Sequence, residues 1–157
     1  MSRLMTLKGR LILSYVPRWT VVPMMRSQTV TDHSWRVAVI ADDLACRLGV
    51  SLSMRDTMIR YSVYHDIGEV ETGDIPSTAK GGRVDASSLS IESLIVKIAD
   101  AIETCTWART WAHPGQVVPI ITREGSLIEY LAGDLESRIP GGRKAVIDIV
   151  DEIGGMP

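Results

Sequence analysis

Reactive side chains are scarce in this chain: of 157 residues, three are histidine and two are cysteine. The cysteines, Cys46 and Cys105, form no Cys-x-x-Cys pair, and each falls in a helical apolar pattern. That excludes a disulfide scaffold and marks both as buried thiols of a cytosolic protein. No apolar run is long enough to span a bilayer. The N-terminal segment carries scattered Arg and Lys without a cleavage-site pattern, so no secretory leader is expected and a cytoplasmic location is. Charge of one sign is missing too. The formal net charge is −2, so no global basic field draws nucleic acid or an anionic membrane. Any phosphate recognition has to come from a few local Arg and Lys residues. Strand-like alternation, internal repeats and low-complexity tracts are also absent. What remains, 45% apolar and 23% charged residues, is an ordinary globular composition, and residues 1–157 are expected to form one domain with an unaided core.

The pattern that is present is helical. Leu4, Leu7 and Leu11 repeat at helical spacing in a short first helix ending near Pro17. Thr31 or Asp32 caps a second helix. Its inner face reads His33, Val37, Ile40, Leu44 and Leu48, and Gly49 stops it. Ser53 caps a third, with Met54, Met58 and Tyr61 leading into His65-Asp66. Residues 68–85, rich in Gly, Pro and Thr, read as a loop. A fourth helix covers about Ser90 to Trp111, and His113-Pro114-Gly115 breaks the chain. A fifth covers about Arg123 to Leu135 and a sixth about Arg143 to Ile153. The fold class is all-α.

Two of the three histidines fall in a chemically suggestive order. His33 lies on an apolar helical stripe, where a lone histidine is ordinarily a satisfied core residue. The His65-Asp66 pair offers an imidazole nitrogen and a carboxylate oxygen from adjacent positions, a combination suited to a divalent metal. Asp100 sits in the apolar run from Leu94 to Ile102, where an unpartnered carboxylate is costly to bury. A metal is one partner for it; Lys97 or an Arg from another helix is the alternative. His33, His65, Asp66 and Asp100 together favour a metal site.

The order H…HD…D resembles that of the HD-domain phosphohydrolases, which implies an HD-domain bundle of about six helices. The likeness extends past the ligands to Arg18-Trp19, Thr31-Asp32-His33-Ser34, Tyr64-His65-Asp66, Glu69-Val70 and Thr72-Gly73-Asp74-Ile75-Pro76. This longer string resembles the YfbR-like 5′-deoxynucleotidases and their compact viral relatives, the dATP triphosphohydrolases. It covers roughly residues 15 to 105, and the C-terminal third carries no matching motif. The short interval between Gly-Asp-Ile-Pro and Asp100 favours the compact viral type.

The resemblance implies a role for each matching residue. His33, His65, Asp66 and Asp100 would hold one divalent ion, with Zn, Co, Mn, Fe and Mg all compatible with a mixed His/carboxylate set. Glu69, one turn past the dyad, would be the general acid/base; by itself it reads as a solvated loop carboxylate. Arg18 would grip phosphate through its planar fork. Lys80 is a second phosphate candidate, and Arg83 and Lys97 are weaker ones. Trp19 would lie against the deoxyribose and exclude a 2′-hydroxyl, Asp74 would accept from the 3′-hydroxyl, and Val21 and Val22 would line the base pocket. Trp19 read alone is simple core, and His113 is a loop histidine.

The expected substrate is a 2′-deoxynucleotide. The leading reading is a dATP-type triphosphohydrolase releasing triphosphate, and the alternative is a monophosphatase acting on deoxynucleoside monophosphates. A metal- or nucleotide-binding regulator without activity is the reading from another class, opposed by Glu69; a cyclic-nucleotide or (p)ppGpp hydrolase fits the Arg-Trp and Thr-Gly-Asp-Ile-Pro segments less well. Trp107, Trp111 and the apolar last helix suggest a homo-oligomer, a dimer or higher.

Overall fold

A computed structural model describes residues 6–74 and 84–154. Leu4, Ile75, Pro76, Lys80 and Arg83 lie outside the described residues. The helices are α1 (Leu7–Ile12), α2 (Val30–Arg47), α3 (Leu52–Tyr64), the single turn α4 (Glu69–Thr72), α5 (Ile91–Trp111), α6 (Pro114–Arg138) and α7 (Gly142–Gly154). Short 3₁₀ turns cover Leu13–Tyr15 and Ala86–Ser88. No strand occurs among the described residues; two isolated antiparallel bridges join Pro17 to Thr29 and Met24 to Ala112. The all-α expectation holds, with six helices of more than one turn among the described residues.

α5 is the axis of the bundle. Its buried residues, from Leu94 through Ile98 and Ile102 to Ala108, cover almost its whole circumference, as expected for a helix enclosed on all sides. Helices α2, α3, α6 and α7 all pack against it. Their buried faces meet in one apolar core that includes Leu44, Met58, Leu131, Leu135 and Val146. Each such side chain contributes about 1.5–3 kcal/mol by leaving water. A second, small cluster of Leu13, Val16 and Val30 packs against Ile67 and Val70. It ties the N-terminal segment to the turn that carries Glu69.

Helix boundaries differ from the pattern reading wherever capping chemistry decides. α2 is capped by Thr29, not Thr31 or Asp32: the Thr29 hydroxyl accepts from the Asp32 N–H while the Asp32 carboxylate accepts from the Thr29 N–H. This reciprocal box satisfies two otherwise orphaned donors. Gly49 does end α2. With φ of 66° it adopts the left-handed conformation, its N–H bonds Cys46 O, and that of Val50 bonds Ala45 O, the Schellman arrangement. Ser51, not Ser53, precedes α3. α6 starts nine residues before the expected Arg123, at Pro114. A proline at the first helical position loses no hydrogen bond and presets φ, so Pro114 begins a helix and does not break the chain. Pro119, inside the second turn, has no N–H to donate and so costs one intrahelical bond.

Two burial expectations also change. Cys105 is buried but Cys46 is exposed, because it lies on the outer face of α2 beside Arg47. Trp107 is only 6% exposed, so it packs inward and offers no surface to a second copy. No helix among the described residues is long and apolar enough to cross a membrane.

Candidate active site

Separate elements deliver the site. His33 sits in the first turn of α2, set in place by the Thr29–Asp32 box. His65 caps the C-terminus of α3 and Asp66 follows it. Glu69 opens α4, and Asp100 faces the others from the middle of α5. Arg18 and Trp19 arrive on an extended segment held to the start of α2: Val30 N–H donates to Val16 O at 2.9 Å, and Arg18 N–H to Gln28 O at 2.8 Å.

The dyad and His33 do converge. One ligand-capable atom from each of His33, His65 and Asp66 lies within 4.8 Å of the other two. Asp66 Oδ2 is 3.2 Å from His65 Nε2 and 3.7 Å from His33 Nε2. Asp100 joins through His33, its Oδ1 3.2 Å from Nε2, while its other oxygen accepts from Lys97 Nζ at 2.6 Å. The alternative partner considered for Asp100 is therefore present as well, but it occupies only one of the two carboxylate oxygens.

Both imidazoles are oriented from behind. His33 Nδ1 lies 2.6 Å from Glu103 Oε2, and His65 Nδ1 lies 2.7 Å from Ser62 O. Each partner oxygen can only accept, so each Nδ1 carries a hydrogen, and each ring, when neutral, turns an Nε2 lone pair inward. Both Nε2 atoms are buried without a hydrogen-bond partner. Two lone pairs aimed at carboxylates repel unless a proton or a cation lies between them. The donor set of two imidazoles and one or two carboxylates fits a divalent ion.

The charges of the site respond to this crowding. Burial and Arg18 push His33 down, yet the Asp100 and Glu103 carboxylates beside its two ring nitrogens outweigh them and leave its pKa raised. Burial opposes ionisation of Asp100, but Lys97 and His33 hold it well below the usual carboxylate range. Asp66 is likewise lowered against burial by its contact with His65, and Glu103 by His33, Arg18 and Arg36. The carboxylates stay ionised, as metal ligands must.

Arg18 is the prominent cation beside this centre. Its side chain is 12% exposed, its Nη1 stands 4.0 Å from Glu103 Oε2, and its Nε and Nη1 are buried without hydrogen-bond partners. A guanidinium with unsatisfied donors next to a His/carboxylate cluster suits an anionic oxygen. Trp19, its ring 5.6 Å from the Arg18 guanidinium carbon, has φ of 63°, unusual for a bulky residue. Its backbone N–H donates to Asp74 Oδ2 at 2.7 Å and its indole N–H to Gln28 Oε1 at 2.8 Å. Asp74 therefore spends one oxygen on holding Trp19. Glu69 is buried, 4% exposed, so it is not the solvated carboxylate that it resembles in isolation. Val21 is 67% exposed. Lys80 lies outside the described residues. His113 precedes the first turn of α6, and its backbone N–H bonds Pro23 O at 3.4 Å.

Sequence reading missed two residues, Glu103 and Gln28. Glu103 is fully buried three positions after Asp100 in the same apolar helix. The desolvation argument applied to Asp100 marks it equally. Gln28, buried on a loop, left no such trace.

A metal-ready His/carboxylate centre inside an all-α bundle defines the HD class of phosphohydrolase folds. Within that class, the chain belongs to the YfbR-like 5′-deoxynucleotidase family, whose sequence model matches residues 10–88, half of the chain. The match contains His33, His65, Asp66, Glu69 and Asp74 and ends before Asp100. A dATP triphosphohydrolase of Salmonella phage PMBT28 is 32% identical over 66% of this chain and 66% of its own length. One from cyanophage S-2L is 29% identical over 55% of this chain and 50% of its own. The chain thus spans about two thirds and half of these relatives. The solved structure of the cyanophage S-2L HD phosphohydrolase DatZ, bound to dA and one catalytic Zn²⁺ ion, has the same fold, with a TM-score of 0.75 at 17% identity over 94% of this chain and 95% of that one.

Proposed function

We propose that residues 1–157 form a single-domain, divalent-metal-dependent phosphohydrolase of 2′-deoxynucleotides. The observation that carries this reading is the pair of buried, partnerless Nε2 atoms of His33 and His65 beside the unsatisfied Arg18 guanidinium. One arrangement accepts a cation and the other an anionic oxygen, which is what a phosphate ester at a metal centre requires. His33, His65, Asp66 and Asp100 would hold the ion; Zn²⁺ is favoured by the ligand set and by the ion in DatZ. Bound there, the ion supplies Lewis-acid charge at the phosphate and acidifies an attacking water.

The chain's own residues do the rest. Arg18 neutralises phosphate oxygens and orients the ester. Glu69, buried one turn past the dyad, takes the proton from the nucleophile and returns it to the leaving oxygen. Trp19 packs on the deoxyribose and crowds out a 2′-hydroxyl, and the second oxygen of Asp74 accepts from the 3′-hydroxyl. Val21 extends this wall toward the base, and Lys80 takes part of a phosphate chain.

Two relatives named as dATP triphosphohydrolases support cleavage at the α-phosphorus with release of triphosphate. The family description supports the second reading, hydrolysis of a deoxynucleoside monophosphate. Product analysis on deoxynucleoside mono- and triphosphates, with their ribose counterparts and with and without Zn²⁺, Co²⁺, Mn²⁺ and Mg²⁺, decides between them. Triphosphate among the products selects the first reading, and phosphate from the monophosphate alone selects the second. Absence of turnover on every deoxynucleotide leaves a metal- or nucleotide-binding regulator. We also place the protein in the cytoplasm as a homo-oligomer, testable by light scattering of the purified chain.

A further inference from the structure

The proposed sugar wall and the metal cluster are joined by one buried hydrogen-bond chain. Trp19 Nε1–H donates to Gln28 Oε1 at 2.8 Å, and Gln28 Nε2–H donates to Glu103 Oε1 at 2.8 Å. The other carboxylate oxygen lies 2.6 Å from His33 Nδ1. Chemistry fixes the direction of every link. An indole can only donate and an ionised carboxylate can only accept, so the Gln28 amide has one permitted orientation. Gln28 and Glu103 are 1% and 0% exposed, so water cannot substitute for a broken link. Arg36 Nε donates to Glu103 Oε1 at 2.9 Å and Arg18 Nη1 stands 4.0 Å from Oε2, which keeps the carboxylate charged and in place.

We propose that Glu103 and Gln28 are positioning residues that couple the metal centre to sugar recognition. Glu103 holds the Nδ1–H tautomer of His33 from behind, and through Gln28 it holds the Trp19 indole. Strain makes the second task necessary: Trp19 has φ of 63°, a conformation a tryptophan leaves unless its surroundings fix it. Because one carboxylate serves both ends, drawing electron density from the His33 ring on metal binding changes what Glu103 offers to Gln28, and hence to Trp19. Networks of this kind polarise along their length. This inference rests on the metal-centre reading above but not on which phosphates leave.

The test uses the full chain, Zn²⁺ as probe, and the indole N–H resonance of Trp19, assigned by its disappearance in Trp19→Phe. In the wild type, Zn²⁺ shifts that resonance. Gln28→Met fills the same space without hydrogen bonds; it is expected to bind Zn²⁺ within about twofold of wild type and to lose the Zn²⁺-dependent shift. Glu103→Gln must turn an NH₂ group toward either His33 or the Gln28/Arg36 donors, and is expected to weaken Zn²⁺ binding by about 10- to 100-fold. Its thermal melt reports whether it folds; if it does not, Gln28→Met alone decides. A Zn²⁺-dependent Trp19 shift that survives in Gln28→Met, or wild-type Zn²⁺ affinity in Glu103→Gln, overturns the coupling. Failure of the wild type to bind Zn²⁺ overturns the coupling and the metal site together. Coupling without hydrolysis of any deoxynucleotide overturns only the proposed activity, and hydrolysis without coupling overturns only this inference.

Discussion

Lys97 Nζ lies 2.6 Å from Asp100 Oδ2, one helical turn earlier on α5. The pair neutralises a carboxylate that the apolar helix would otherwise bury at a cost, and it leaves Oδ1 facing His33. Lys97→Met removes that counter-charge. Because Lys97 is 39% exposed in its side chain, solvent screens the pair and the loss amounts to about 1 kcal/mol. It should fall on the metal-free protein, where Lys97 is the first counter-charge to Asp100, and shrink when Zn²⁺ is added. Thermal melts of both forms with and without metal measure this; an equal loss in both shows that Asp100 takes no part in holding the ion.

Metal binding should stabilise the fold, since its ligands come from α2, α3 and α5. At a free concentration about 100 times the dissociation constant the gain is about 2.7 kcal/mol. Chelator-treated protein is therefore expected to melt lower than protein with Zn²⁺, and Asp66→Asn to lose most of the difference. A Zn²⁺-independent melting temperature in the wild type counts against the site.

Glu69→Gln keeps the size and burial of the side chain and removes its basicity. Hydrolysis should drop by about 10²- to 10⁴-fold while the Zn²⁺-dependent rise in melting temperature persists. Retained activity would show that the proton is handled elsewhere.

The two thiols should differ in reactivity. Cys46 is exposed, whereas burial and the nearby Glu124 push Cys105 up to about 11. At pH 8 Cys105 is thus almost entirely the unreactive thiol. A colorimetric thiol reagent is expected to titrate one group per chain in the native state and two after denaturation. Rapid reaction of both in native buffer would contradict the burial of Cys105.

Gly142 supports the α6–α7 junction by close approach. A Cβ there would stand 2.8 Å from Leu135 Cγ and 3.1 Å from the Leu135 carbonyl carbon. Part of that clash is with backbone, which cannot swing away, so Gly142→Ala should cost about 1–3 kcal/mol. Denaturant unfolding reads the loss directly, and an unchanged midpoint would mean that the helices part without penalty.

Much of the site was legible because its residues are chemically rare and ordered along the chain. His65-Asp66 and His33 are drawn from three histidines, and Asp100 interrupts an apolar helix. The same logic reaches Glu103, yet as one of many carboxylates in the chain it stood out less than a histidine. Gln28 has no signal of this kind, since a loop glutamine is ordinarily solvated. The starts of α2 and α6 are not legible in the pattern because a cap is chosen by which hydroxyl meets which N–H, as at Thr29, and a proline ends one helix or begins another with the same φ, as at Pro114; Ser51 precedes α3 without a side-chain cap bond.

Taken by itself, the sequence determined the helical class, the end of the second helix at Gly49 and the residue types able to bind a metal. These are local properties, written in periodicity, backbone permission and ligand chemistry. Tertiary structure decided which lone pairs face one another, that Arg18 ends with unsatisfied donors, and that one buried carboxylate stands behind both His33 and Gln28. Those facts depend on separations of 70 and 75 residues along the chain, and only the packing of α2 against α5 closes such distances.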